Sequence, residues 1–437
     1  MTKIRADCDP NARLSVRHGP GRGKILGRSM SDKIFDAAIV GAGPTGAALA
    51  VALARLGLLV AVIDARDPEA KPRKDGRNFA IVTGSWHLLA SIGVTEALGD
   101  VSQPLHGLEA IDGGTHWFGR PSVLFMETDL ASPDPDETLG YMVTAEPLQA
   151  ALDDAMACET SLQRFAPALF ESVEMDAGHV RISLQDGQTL KARLLIGCDG
   201  MNSPVRNALG IPVEGRDYEK SVFTANVKLE KPHEGIARQL FTPDGPFATL
   251  PLKGDRANLA WYMKRGAAEA LAAMPTKDAE AELNAQFSAF AGHMEIEGEA
   301  GSYPLILQLA TEITGERTAL VGDAARRVNP LAGQGLNQGF RDVAALIEVV
   351  EDTLRIGGEI GSALMLERYS QARKFDGAST ALALDGIDRL FSNDSTLTKP
   401  FRSLGLFAAS KFSPLRRMLA RKASATEDGV PDRMQGW

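Results

Sequence analysis

The run Gly41-Ala42-Gly43-Pro44-Thr45-Gly46 spaces three glycines as a backbone that wraps a phosphate requires. Gly41 permits a tight turn, Gly43 lets the main chain approach a pyrophosphate at a helix N-terminus, and Gly46 lets helix and strand pack closely. Asp64 follows about 20 residues later, the separation at which an acid accepts hydrogen bonds from an adenosine ribose. Two later stretches carry related chemistry. In "LLIGCDGMNSPVRNALGI" an apolar strand runs into Cys198-Asp199-Gly200, and Ser203 and Arg206 start a helix. In "TALVGDAARRVNPLAGQGLNQGFRDVAAL" a strand runs into Gly322-Asp323, which places Asp323 to grip a ribitol or ribose hydroxyl. Gly333, Gly335 and Gly339 let the backbone approach a planar ring and a phosphate. A helix starting near Gly335–Asn337 aims its N-terminal dipole at the same place.

The elements that must position these residues are legible from periodicity. "FDAAIVGAGPTGAALAVALARLGLLVAVIDARD" is almost uncharged over a membrane-spanning length, but glycines and Pro44 divide it into strand, turn, helix and strand. Pro44 suits the first turn of the helix, and Gly57 suits the residue after its end. "GSWHLLASIGV" and the segment from Glu146 read as helices, and "VRISLQDGQTLKARLLIG" reads as a hairpin around Asp186-Gly187. "SVFTANVKLE", "ARQLF", "FATLPL" and "ANLAWYM" read as strands, "KDAEAELNAQFSAFAG" as a helix, and the chain after Arg341 as mainly helical. The expected organisation is α/β: a Rossmann-like, discontinuous nucleotide-binding domain over 31–104, 141–210 and 303–390, with an inserted β-sheet domain over 105–140 and 211–302. A helical C-terminal segment over 391–437 completes it, and residues 1–30, rich in Arg, Lys and Gly without hydrophobic period, are expected to be disordered, with Met30 an alternative start.

Composition excludes several classes. A formal net charge of −9 argues against a nucleic-acid partner. The seven histidines form neither an HxH nor an HExxH pair and have no cysteine at zinc spacing, so no metal is expected. Cys8, Cys158 and Cys198 without a CxxC suit a reducing, cytoplasmic compartment with free, buried thiols.

The three glycine motifs, in this order, resemble the FAD-dependent aromatic hydroxylases of the p-hydroxybenzoate hydroxylase fold. Within that group the chain looks most like the ubiquinone-biosynthesis hydroxylases (UbiH/UbiF-like). The resemblance rests on "RNFAI", "LGYMV", "HEGIARQLF", "GPFATLPL", "YPL" at Tyr303, "GDAARRVNPLAGQGLNQGFRD" and "LERYSQAR". It implies that Gly41, Gly43, Pro44, Thr45, Gly46 and Asp64 hold the ADP half of a tightly but non-covalently bound FAD. Arg77 would lie against the pyrophosphate or the isoalloxazine, and Asp199 and Gly200 would border FAD and the path of a transient NAD(P)H. Gly322 and Asp323 would meet the ribityl region, and Pro330, Gly333, Gln334, Gly335, Leu336 and Asn337 the isoalloxazine ring. Family members commonly have histidines where this chain has Arg326 and Asn329, and no catalytic acid or base is assigned.

The implied reaction is hydroxylation of a hydrophobic, polyprenylated phenol with NAD(P)H and O2, through a flavin C4a-hydroperoxide that must be kept from water. Phe241, Phe247, Leu250 and Leu252 would suit a greasy substrate. A prenyl reductase, an epoxidase, a halogenase or a non-catalytic FAD-binding member of a biosynthetic complex would carry the same glycine motifs. The acid-free stretch "KPFRSLGLFAASKFSPLRRMLARKA" is expected to form an amphipathic helix that meets anionic lipid or a partner assembly, which would place the protein on the inner face of a membrane.

Overall fold

The computed structural model describes residues 33–68, 70, 76–113, 121–130, 132, 134, 136–328, 334–373 and 412–436. The expected contributions of 1–30, Asn329, Pro330, Gly333 and 391–411 lie outside these residues. Along the chain, β1 (Ile34–Val40), α1 (Pro44–Arg55) and β2 (Val60–Ile63) form a βαβ unit with parallel strands. Pro44 is at the start of α1, and Gly57 follows its last turn with φ +83°. Every residue of α1 from Gly46 to Ala54 is buried, because the helix lies between its own sheet and the helices α3 and α7 defined below. That sandwiching explains the all-apolar sequence without a membrane. Among the described residues, no helix is long and apolar enough to cross one.

Next come β3 (Asn78–Val82), α2 (Thr83–Ser91), β4 (Gln103–Pro104), β5 (Gly107–Asp112), β6 (Ser122–Met126), β7 (Gly140–Thr144) and α3 (Ala145–Cys158). They are followed by β8 (Leu162–Phe165), β9 (Phe170–Asp176), β10 (His179–Leu184), β11 (Thr189–Gly197) and α4 (Pro204–Ala208). The strands β12 (Val213–Leu229), β13 (Ile236–Thr242), β14 (Gly245–Leu252) and β15 (Arg256–Lys264) precede α5 (Arg265–Ala272), α6 (Thr276–Ala291) and β16 (Met294–Ala310). The last elements are β17 (Thr314–Gly315), β18 (Thr318–Leu320), β19 (Arg326–Arg327), α7 (Gln334–Arg355), a helical stretch over 363–373, and α8 (Ser413–Ala423).

The strands form three sheets. The first has the order β17-β18-β11-β1-β2-β8, with β10 and β9 added beyond β11. The second is β19-β16-β12-β15-β14-β13-β5-β6, and the third is the small β3-β7-β4 sheet. The main core lies around the first sheet, α1 and α7, and a second core fills the space between β12–β16 and the helices α5 and α6. Each fully buried leucine of α1, such as Leu49 or Leu53, contributes roughly 1.5–3 kcal/mol.

Two expectations are corrected here. The domain change expected at residue 303 falls inside β16, which pairs with β12 as far as Ala310, so the second sheet keeps the whole strand. Cys158 is exposed at the end of α3, so the cysteines are not uniformly buried.

Candidate active site

The glycine-rich turn is fixed by contacts that leave no room for side chains. Gly41 has φ +98°, and a Cβ there would sit 2.4 Å from Cys198 O. A Cβ on Gly46 would sit 2.0 Å from Gly41 O, so the end of β1, the end of β11 and the first turn of α1 share one close contact. Gly43 differs. It is the N-cap of α1, makes no side-chain cap, and a Cβ there would meet nothing within 4 Å. The first N–H groups of α1 therefore face open space without an intrahelical partner, which is the geometry that binds a pyrophosphate.

Asp64 acts on this turn from behind. Its Oδ2 accepts from Ala42 N at 2.5 Å, and its Oδ1 accepts from Arg66 N at 2.8 Å. It does not line the cavity described next, so its first role is to hold the turn.

A cavity of about 1210 Å³ opens at Gly43, Pro44 and Thr45 and continues past Arg77, Cys198, Gly200, Gly322, Asp323, Gly335 and Leu336. That volume exceeds the ~300–1,000 Å³ of a typical single-ligand pocket, so it has room for a cofactor and a substrate together. The Arg77 guanidinium stands over the Phe79 ring, 5.9 Å from its centre. Asp323 is open to the cavity on one side and crowded by protein on the others. That desolvation raises its carboxyl above the ordinary range, against the opposing charges of Arg327 and Arg77.

The rest of the 322–342 segment supports Asp323 from below. Gly322, at φ +66°, donates its N–H to Asp342 Oδ2 at 2.9 Å. Asp342 is fully buried and also accepts from Arg326 Nη1 and, at 2.6 Å, from Arg373 Nε. Burial alone would raise its carboxyl, but Arg326 and Arg373 outweigh burial and hold it below the ordinary range. Arg326, at a position where histidine is common in the resembled family, is thus committed to the core and does not line the cavity.

Asn337 is also turned away from the cavity. Its Oδ1 accepts from Val82 N at 3.1 Å and its Nδ2 donates to Ala80 O at 2.7 Å, so it pins α7 to β3. The polar atoms of its side chain are thus occupied by strand backbone. Gly335 and Leu336 line the cavity, and the side chain of Gln334 lies outside the described residues.

Asp199 accepts from Val205 N at 2.9 Å through Oδ2, while its Oδ1 is buried without a hydrogen-bond partner among the described residues. Burial raises its carboxyl above the ordinary range, against hydrogen bonds from Ser203 and Val205 N and the charge of Arg206. Asp199 itself does not line the cavity, but Cys198 and Gly200 on either side do.

The second sheet forms the facing wall. Its pleat turns Val222, Thr224 and Asn226 of β12, Asn258, Ala260 and Tyr262 of β15, and Ala248 and Leu250 of β14 toward the cavity. Phe241 and Leu250 lie on this wall as expected of a greasy surface, but Phe247 does not. It points to the opposite face, stacked on Phe287 of α6 with ring centres 3.7 Å apart. Leu252 is buried beside Ala420 and Leu105 instead of lining the cavity. Leu419, Ala420 and Ala423 of α8 close the apolar side, a role that its many cations did not signal.

A profile of the FAD binding domain family matches residues 35–380. The chain belongs to the FAD binding domain family. It is 37% identical to ubiquinone hydroxylase UbiL of Rhodospirillum rubrum over 91% of both chains. It is 34% identical to the 3-demethoxyubiquinol 3-hydroxylase of Escherichia coli, over 90% of this chain and 99% of that one. Its fold is similar to that of p-nitrophenol 4-monooxygenase from Pseudomonas putida, with a TM-score of 0.72 over 89% of this chain and 97% of that one at 16% identity. FAD is the cofactor, and FAD-dependent hydroxylation is the activity that family membership carries. The residues present suit that cofactor: an unobstructed Gly43 at an uncapped helix start, and a carboxylate at Asp323 open to the same cavity.

Proposed function

We propose that this family member hydroxylates the ring of a polyprenylated phenol in ubiquinone biosynthesis, with NAD(P)H as transient reductant and O2 as oxidant. The first sheet with α1 and α7 then serves as a Rossmann-like, discontinuous FAD-binding domain, and the second sheet as the inserted substrate domain. One observation carries the reading: a single cavity joins the Gly43 turn and Asp323 to an apolar sheet wall closed by α8. The two UbiL-like relatives, named for ubiquinone chemistry, support the substrate class.

When bound, FAD supplies the redox chemistry, activating O2 for transfer of one oxygen atom to the ring. The chain's own residues do the rest. Gly43 and the start of α1 would receive the pyrophosphate, and the Asp323 carboxylate would accept hydrogen bonds from sugar-chain hydroxyls. Gly335 and Leu336 would set the floor beneath the ring system, fixed in place because Asn337 clamps α7 to β3. Phe241, Leu250 and Leu419 would exclude water from the reacting centre and take up the apolar tail.

The outward face of α8 supports contact with a membrane. Phe412 and Met418 are 62% and 57% exposed, and Arg417 is exposed beside them. Such a face suits anionic lipid next to a cavity that admits a lipid-like substrate.

The deciding experiment combines the purified yellow protein with NADH or NADPH and a short-chain prenylphenol. Phenol-stimulated oxidation of the nucleotide, with matching O2 uptake and a hydroxylated product, is expected. A flavin that is not reduced with any phenol, together with an unchanged quinone profile in a deletion strain, would overturn the proposal.

A further inference from the structure

The two ends of α8 are fastened unequally. Beyond its last residue, Ala423, the chain is built into the main core. Ser424 O accepts from Gly84 N at 2.9 Å, and a Cβ on Gly84 would lie 2.2 Å from Ala425 O. Val430 and Met434 are buried in the same core. Glu427 pairs with Arg341, Arg433 with Glu351 at 3.1 Å, and His87 Nδ1 lies 3.1 Å from Met434 O. Ala425 adopts φ +54°, a left-handed conformation that alanine keeps only where its surroundings impose it. There the helix stops, because Thr426 N turns back to donate to Arg421 O at 2.9 Å.

The other end of α8 rests on the second sheet. Leu415 and Leu419 are half-buried against Val123 and Phe241. Arg416, also half-buried, donates through Nε to Asp129 Oδ1 at 2.8 Å. Phe412, Ser413, Pro414, Arg417 and Met418 are exposed. Partial burial and a half-exposed ion pair hold a segment less firmly than a packed core does.

This loosely seated helix is also a wall of the cavity, which Leu419, Ala420 and Ala423 line. Lys422 lines it too and is exposed, so the cavity reaches the surface beside α8. Residues 412–423 carry Arg416, Arg417, Arg421 and Lys422 and no acid, in a chain of net charge −9.

We propose that α8 is a lid, hinged at Ser424-Ala425, that an anionic bilayer lifts off the cavity. The bilayer takes up Phe412 and Met418, and its phosphates compete with Asp129 for Arg416. Leu415 and Leu419 then exchange their seat on Val123 and Phe241 for the membrane interface. The opened apolar side of the cavity faces the acyl chains, so an apolar ligand passes between them without crossing water. The inference rests on the membrane contact and the apolar substrate proposed above, and adds the movement that joins them.

The test reads that movement as a distance between nitroxide labels in the holoenzyme, with Cys8 and Cys158 replaced by serine. One label is placed at Ser413→Cys, on the outer end of α8. It is paired in turn with Ser172→Cys on β9 and with Met274→Cys between α5 and α6. Given a rise of about 1.5 Å per residue, a tilt of about 30° carries the outer end of this 11-residue helix through roughly 8 Å. Phosphatidylglycerol vesicles are expected to shift the distance distribution of at least one pair by several ångströms, and phosphatidylcholine vesicles to shift neither. Gln435→Cys paired with Ser172→Cys lies beyond the hinge and should keep its distance. Arg416→Ala, which gives up the Asp129 pair, should shift part of the distribution without vesicles. Protein that floats with phosphatidylglycerol vesicles while both Ser413 distances stay unchanged would overturn the lid alone. Protein that does not float would overturn the membrane contact with it.

Discussion

Arg326 reaches under the Gly322–Ala324 turn and donates to the buried carboxylate of Asp342, which also accepts from Gly322 N. The cation that replaces an expected histidine is therefore a support for the turn that presents Asp323, and its charge is spent on Asp342. Arg373 joins through Nε, and Gln338 accepts from its Nη2 at 3.1 Å, so α7 and the helical stretch over 363–373 are tied to the same carboxylate.

Removing that carboxylate leaves two guanidinium groups in the core without their counter-charge. Asp342→Leu is expected to cost about 3–5 kcal/mol. Acid should act on the same network. Asp342 is held below the ordinary value of 3.8, so its contribution is present above that value and is lost as pH falls through the lower, folded value. Arg326→Met removes the largest opposing charge and raises the folded value, so the loss in acid should be smaller and level off at higher pH. Melting temperatures of wild type and variant between about pH 6 and pH 3 will show this. Parallel curves would mean that Arg326 does not set the carboxyl's titration.

The glycines of the first motif separate folding from cofactor binding. An alanine at Gly46 would press its Cβ to 2.0 Å from Gly41 O, so Gly46→Ala is expected to destabilise the protein with or without FAD. At Gly43 the same methyl meets only open space, and φ is −65°. Gly43→Ala should keep the melting temperature of the apoprotein within about 0.5 kcal/mol of wild type and still lose FAD, because the methyl fills the approach to the helix N-terminus. Flavin-to-protein absorbance ratios beside apoprotein melts distinguish the two. Full flavin content in Gly43→Ala would remove the pyrophosphate from this turn.

The contrast between those glycines shows which features local pattern reveals. The βαβ unit, the hairpin at Asp186-Gly187 and the strand leading into Gly322 follow from apolar periodicity and turn residues, which act over a few positions. The partners of single polar residues do not. The clamp of Asn337 to β3, more than 250 residues earlier in the chain, occupies both ends of its amide and leaves no local signal. Arg326 stands out only as a departure from a common histidine until Asp342 is found beneath it. The pleat of β12 could have revealed one feature: Thr224 and Asn226 share the face of Val222, so polar residues recur on a side that is otherwise apolar.

Asp199 gives the opposite dependence on pH. Burial raises its carboxyl above 3.8, and its Oδ1 has no partner among the described residues. A raised acid contributes stability that is fully present below the unfolded value and is lost as pH rises through the folded one. Asp199→Asn does not titrate, and its side-chain oxygen can still accept from Val205 N. The melting temperature of the Asn variant relative to wild type, measured on apoprotein, should therefore increase from about pH 4 to pH 7. A constant difference across that range would mean that Asp199 is not strained by its charge.

The C-terminal segment combines the surface proposed to meet a membrane with a structural seat, and the two require different variants. Leu415 and Leu419 pack against Val123 and Phe241, Arg416 pairs with Asp129 at 2.8 Å, and Ala420 is buried. Beyond α8 the chain enters the main core through Ala425, Val430 and Met434. Gly84 N donates to Ser424 O at 2.9 Å, and a Cβ on Gly84 would lie 2.2 Å from Ala425 O. Deleting residues 412–437 should thus open the cavity and destabilise the fold, so loss of membrane binding by that truncation would carry no information about lipid. Phe412→Glu and Met418→Glu alter only exposed side chains and should shift the melting temperature little. With vesicles containing anionic lipid, each is expected to lower the floating fraction several-fold, and raising salt should lower it further for the wild type. Unchanged flotation in the double variant at low salt would rule out this face as the membrane contact.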